Sequence, residues 1–202
     1  MPTTKQRIIL NSRKLFSEHG IANTRLQQIA DETGISVGNL AYHFKSKEEI
    51  VQALYHNTLD ELSNILIMSK IYPSLESFDA KFSNLYQFME NNIFYFTNRW
   101  EIKRNYPIVN GKIKDINKKI LSKLKKRIND NVGRGVMNPE KNRGFYDSLS
   151  ATLLNSINTW LPQQLLNEKT ISEKKFKIYL WTLLHPHLTS KGKTEFKSLD
   201  IF

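Results

Sequence analysis

The chain has 202 residues, a formal net charge of +11 and 40% hydrophobic residues, a size and composition that suit one globular domain or two small ones sharing a helix. It contains no cysteine, which excludes disulfides, thiolate nucleophiles and cysteine metal sites and fits a cytoplasmic protein. No apolar run approaches the roughly 18 residues of a membrane span, and the N-terminus lacks a signal-peptide pattern, so no membrane partner is expected.

The positive charge favours a polyanionic partner, but its distribution does not locate one. Residues 1–50 hold seven Lys/Arg against five Asp/Glu, whereas residues 99–127 hold eleven against two. The basic excess falls mostly outside the motif described next.

A first helix is predicted from about Thr4 to His19. Thr3 and Gln6 spell a capping box, and Gly20 stands where the chain leaves the helix. Ile8, Ile9, Ser12, Leu15 and Phe16 share one face, and Ile21 completes a small core. Lys5, Arg7, Arg13 and Lys14 are read as a solvated face for the most part, with phosphate contact as the alternative.

Residues 24–47, TRLQQIADETGISVGNLAYHFKSK, read as two short helices with a tight turn between them and the start of a third. Thr24 is expected to cap the first, with Gln27 reaching back. Leu26, Ile29 and Ala30 fall on one face, Ala30 being small enough to let a second helix cross closely. Gly34 suits a left-handed exit, and Ser36 caps the next helix. There Leu40, His43 and Phe44 point inward at i, i+3, i+4. Val37, Gly38, Asn39, Ala41 and Tyr42 are left outside as a small, uncharged ridge with room to enter a DNA major groove. The pattern is a helix-turn-helix with its second helix as reader. A helical hairpin that merely packs is the bland alternative.

Ser46 and Glu49 open a long helix predicted to reach about Met68, with Ile50, Leu54, Leu59, Leu62, Ile65 and Leu66 along its apolar side. Tyr72-Pro73-Ser74 breaks the chain. A helix from about Leu75 to Thr97 carries Phe78, Phe82, Leu85, Met89 and Ile93 on one stripe, and a short one from Trp100 to Tyr106 is stopped by Pro107. From Lys112 to about Asn131 apolar residues recur at three and four with lysines between them, an amphipathic helix with a basic outer face. Further helices are predicted at about 143–164 and 172–185, the last closed by Pro186, with a polar, loosely held tail from Thr189. No strand-period segment is longer than a few residues, so the fold class is all-α.

LFSEHG at 15–20, Thr24, Ile29-Ala30, Gly34-Ile-Ser36, Gly38, His43-Phe44 and KSKEEI at 45–50 resemble, in order and spacing, the signature of tetracycline-repressor (TetR) family transcriptional regulators. The resemblance covers the first quarter of the chain. The family usually carries a tyrosine directly after the position of Leu40; this chain has Ala41 there and Tyr42 in the next slot. The resemblance implies a DNA-binding domain over residues 1–50, with the motif at about 25–44 and the helix from 46 leading onward. It implies an effector-binding and dimerisation domain over 51–202. A homodimer is expected through about 143–185, since a palindromic operator calls for two reader helices about 34–36 Å apart.

Asn39 is the best candidate base reader, because asparagine can bond both N6 and N7 of adenine. Ser36, Val37, Gly38 and Tyr42 accompany it at the duplex, and Thr24 and Lys47 are candidate phosphate contacts. His43 either packs at the helix interface or touches the backbone. Phe82, Tyr86, Met89, Phe96, Trp100 and Tyr106 could line an effector pocket or form a plain core, and only the resemblance favours the pocket. His185-Pro-His187 is read as a chain terminator rather than a metal pair. No catalytic, cofactor or phosphate-loop arrangement is evident. The expected function is regulation of transcription, most readily repression relieved by a small-molecule effector. The alternative is a helical small-molecule-binding protein or enzyme that retains the module without regulating genes.

Overall fold

The computed structural model describes residues 2–67 and 73–201, with the side chains of 66 and 67 left out. The described residues form eleven α-helices, one 3-10 turn and no strand: α1 Thr4–His19, α2 Leu26–Thr33, α3 Val37–His43, α4 Lys47–Ile67, α5 Leu75–Asn91, α6 Ile93–Thr97, α7 Arg99–Asn105, α8 Pro107–Gly133, α9 Phe145–Leu166, α10 Glu173–Leu184, the turn His185–His187 and α11 Ser190–Lys197. The helix end near Met68, the Leu66 side chain and Tyr72 lie outside the described residues. The chain divides into two compact units. Unit 1 comprises residues 1–62 and 91–114, and unit 2 comprises 63–90 and 115–202. A division at residue 50 therefore does not coincide with the packing, because the start of α4 and the segment 91–114 both belong to unit 1.

In unit 1, α1 packs on α2 and α6, and α2 on α3. The capping box at Thr3 and Gln6 is formed in both directions, at 3.2 and 2.8 Å. Ile8, Ile9, Ser12, Leu15 and Phe16 are the buried face of α1. Asn98, between α6 and α7, ties the unit together: its Oδ1 accepts from the Ile21 amide at 2.9 Å. Its Nδ2 donates to the Phe16 and Phe94 carbonyls at 3.2 and 3.0 Å. The single helix expected over 75–97 breaks at Asn92, which is fully buried and directs its amide toward the Glu61 carboxylate at 3.3 Å. Pro107 stops α7, but it also opens α8, where a proline at the first helical position gives up only an amide that would have lacked a helical partner.

In unit 2, α9 packs on α10. Phe78 and Phe82 of α5 meet the Trp181 ring at 6.0 and 5.8 Å, and Trp160 of α9 meets Phe176 of α10 at 5.1 Å. Pro162 lies inside α9 rather than at its end. The segment after Thr189 is not loosely held. It forms α11, capped by Thr189, and buries Phe196 and Ile201. A Cβ on Gly192 would fall 2.0 Å from the Val136 carbonyl oxygen, so only glycine allows α11 to approach this closely.

Candidate nucleic-acid interface

α3 is only seven residues long, and such a helix forms where its ends and its packing are supplied from outside it. Gly34 ends α2 in the left-handed conformation, at φ 69° and ψ 41°. Ser36 Oγ then accepts from the Asn39 amide at 3.1 Å, capping α3. Leu40 is fully buried, and Phe44, just beyond the helix, is buried as well. Lys5 lies over the Phe44 ring at 5.2 Å, closing the inner side.

Ser36, Val37, Gly38, Asn39, Ala41 and Tyr42 are exposed on the outer side, and His43 is half-buried. Tyr42 is 85% exposed; the ring the family carries one residue earlier is here presented in full beside Ala41. His43 meets the Tyr42 ring edge-on at 5.2 Å. Asn39 uses its backbone amide for the cap, and its carboxamide has no hydrogen-bond partner among the described residues.

Two expected phosphate contacts are placed otherwise. Thr24 is fully buried, and its hydroxyl donates to the Gly20 carbonyl at 2.8 Å; it closes the end of α1 instead of facing a duplex. It does not cap α2 either: Arg25 holds the cap position, and the Gln28 side chain accepts from the Arg25 amide at 2.7 Å, one residue later than expected. Lys47 is half-buried, and its Nζ donates to the carbonyls of Ile21 and Thr24 at 2.8 and 3.0 Å. A lysine so engaged clamps the turn before α2. The first turn of α4 also carries Glu48 and Glu49, and Glu49 accepts from the Lys45 amide at 2.8 Å. Negative side chains there oppose an incoming phosphate.

The family match falls on this part of the chain. The model of bacterial regulatory proteins of the tetR family matches residues 8–54. The biofilm operon icaADBC HTH-type negative transcriptional regulator IcaR of Staphylococcus aureus (strain Newman) is 33% identical over 132 residues, covering 60% of this chain and 68% of IcaR. The chain is a TetR-family transcriptional regulator. As such it binds DNA, and regulators of this family dimerise. The fold likeness runs the full length of the TetR-family chain. A TetR-family regulator from Marinobacter aquaeolei VT8 superimposes with a TM-score of 0.87 at 19% identity, covering 98% of this chain and 97% of that one. The ketosteroid regulator KstR2 of Mycobacterium tuberculosis gives 0.74 at 20% identity, covering 94% and 97%.

Unit 2 of this TetR-family regulator contains a cavity of about 290 Å³. The six expected pocket residues do not meet there. Phe82 lines it, together with Phe78, Leu85, Ile120, Leu124 and Ile157. Tyr86 and Met89 are buried in unit 2 without lining it, Tyr86 packing on Trp160 and Phe176. Phe96, Trp100 and Tyr106 belong to unit 1; Phe96 and Tyr106 are buried, whereas Trp100 is 68% exposed with Lys103 over its ring. The periodicity missed the cationic part of the wall, Lys81, Lys123 and Arg127. Burial, with Arg127 and Lys123 adding like-charge repulsion, lowers the Lys81 ammonium to about 8. Among the described residues no group of acids, histidines or cysteines is arranged to hold a metal, and no helix is long and apolar enough to cross a membrane.

Proposed function

We propose that this regulator represses its targets by binding a palindromic operator as a cytoplasmic homodimer, and that a small-molecule effector releases it. The observation that carries the reading is the outer edge of α3. Ser36 through Tyr42 form an exposed, uncharged edge on a short helix fixed by Gly34, the Ser36 cap and buried Leu40. Within it Ser36, Val37, Gly38, Asn39 and Tyr42 are the contacts, Asn39 reading an adenine and Tyr42 meeting a phosphate or a thymine methyl, with His43 at the margin. Residues 1–50 supply the DNA-binding function and 51–202 the effector and dimer functions. The negative regulation named for IcaR supports repression. For the dimer we assign α9 and α10, where Leu166 is 84% exposed and Leu165, Phe145 and Tyr179 are also open; α9 and α10 supply the large apolar surface that a two-fold interface needs. The effector takes the cavity of unit 2. A differential affinity worth about 1–3 kcal/mol between operator-competent and released conformations would change occupancy some 5–150-fold.

A mobility-shift titration against the DNA upstream of its own gene, followed by genomic binding-site selection, tests the reading. A two-fold symmetric site bound by two copies is expected. Salt-sensitive binding without base preference, or a purified protein that stays monomeric, would overturn it.

A further inference from the structure

Unit 2 has a consistent way of handling partly buried cations: it answers them with carboxylates. Lys177, with its side chain 15% exposed, lies 2.9 Å from both Asp79 and Glu173. Arg134, at 17%, lies 2.9 Å from Glu195. At the cavity this pattern stops. Lys81 on α5 faces Arg127 and Lys123 on α8, and no hydrogen-bond or ion-pair partner for it occurs among the described residues. Asp130, the one acid among the described wall residues, is held by Lys126 at 3.2 Å, one turn away. Arg127 is buried, donates to Ser77 Oγ at 2.9 Å, and stands with its guanidinium 6.0 Å from the centre of the Phe78 ring. A hydroxyl and an aromatic face hold it in place, and Asp130 is the carboxylate whose charge acts on it.

Cations drawn out of water toward an apolar wall are stable there when a counter-charge completes the site. Apart from Lys126 and Asp130, the rest of the described wall is hydrocarbon, so a bare inorganic anion would leave most of the cavity unfilled and a neutral hydrocarbon would leave the cations unanswered. Taking the effector reading above as its basis, we infer that the cavity receives an amphipathic organic anion. Its single carboxylate or phosphate head is set between Lys81 and Arg127, and its apolar body lies against Phe78, Phe82 and Leu124. Arg127 presents a planar fork suited to either head group. The volume of about 290 Å³ is at the small end for ligand pockets, which favours a short or medium apolar body over a long chain.

The test is calorimetric titration of the full-length protein with octanoate, octyl phosphate, 1-octanol and octylamine, probes that share a tail and differ in the head. At least one anion is expected to bind about tenfold or more tightly than 1-octanol, with octylamine weakest; comparing octanoate with octyl phosphate identifies the head. Lys81→Met is expected to reduce the anion preference to about threefold or less, and Lys81→Arg to keep it. Far-ultraviolet circular dichroism confirms that both variants fold. Equal or tighter binding of 1-octanol, no binding of either anion, or a preference unchanged in Lys81→Met overturns the inference. Operator binding by the ligand-free protein is measured in parallel by mobility shift. Loss there would sink the regulator reading and not this one, while an operator-binding protein indifferent to head charge would sink this one alone.

Discussion

The two units differ in how they hold several of their partly buried polar side chains. In unit 1 the interior amide of Asn98 and the ammonium of Lys47 close on main-chain carbonyls and amides, and the Arg7 guanidinium reaches the Thr33 carbonyl. In unit 2 partly buried cations meet carboxylates, except at the cavity. Main-chain partners have fixed positions, so the exposed outer edge of α3 is carried by a unit whose interior polar side chains are held in place. Unit 2 keeps a charge without an internal partner beside hydrocarbon. Such a site gains from a ligand what the fold itself does not supply.

The largest expected effect breaks the interior of unit 1. Asn98→Ala removes the acceptor for the Ile21 amide and the donor to the Phe16 and Phe94 carbonyls; the two carbonyls keep the Gly20 and Asn98 amides, and the Ile21 amide loses its acceptor. A loss of about 1–3 kcal/mol of stability is expected, read by urea denaturation. If the loss is below about 0.5 kcal/mol, water replaces the side chain and Asn98 does not tie the unit together as argued.

Asn39→Ala sharpens the other half of the comparison. The Asn39 side chain is exposed, so stability should stay within about 0.5 kcal/mol. Operator affinity should fall by about 1–3 kcal/mol, with base preference relaxed at one position. Mobility shifts on operators mutated base by base measure both. Unchanged affinity and preference would remove Asn39 from the reader.

Lys47 separates a clamp from a phosphate contact. As a clamp on Ile21 and Thr24 carbonyls, Lys47→Met should lower stability by about 1–2 kcal/mol. The slope of operator affinity against salt concentration should then be unchanged. A slope shallower by about one unit with stability intact would restore the phosphate role.

What could be seen in the sequence follows the same division. Caps, the Gly34 turn and the α1 and α3 stripes are local signals, and the residues concerned adopt the expected conformations. The Thr24 cap was misplaced by one residue because Gln27 and Gln28 offer equivalent partners, and only the fold shows that the Thr24 hydroxyl is needed by Gly20. The break at Asn92 depends on Glu61, 31 positions earlier. Aromatic periodicity runs through that break unaltered, so it joined Phe96, Trp100 and Tyr106 to a cavity formed without them. The α11 tail reads as polar, yet it is held by Glu195, which accepts from Leu75 and Arg134 across long separations. The lysines of α8 read as one solvated face, and nothing local distinguishes Lys123 or Arg127 as cavity wall.

The smallest effect is the most direct reading of the cavity charge. Lys81 is lowered from 10.5 to about 8 by burial, then by Arg127 and Lys123. A lysine whose folded value is depressed binds fewer protons than in the unfolded chain between pH 8 and 10.5. Stability at this site therefore rises with pH through that window, and the penalty is fully present below it. Lys81→Met should stabilise the ligand-free protein at pH 7. Because the group is half exposed, solvent screening limits the gain to roughly 1 kcal/mol or less. The advantage over wild type should shrink as pH approaches 10.5, a sign opposite to that of replacing a lysine in a carboxylate pair such as Lys177. Melting temperatures of both proteins at pH 7 and pH 10 decide it. If Lys81→Met is the less stable protein at pH 7, Lys81 has a partner in the fold, and the cavity lacks the uncompensated charge that an anionic ligand would answer.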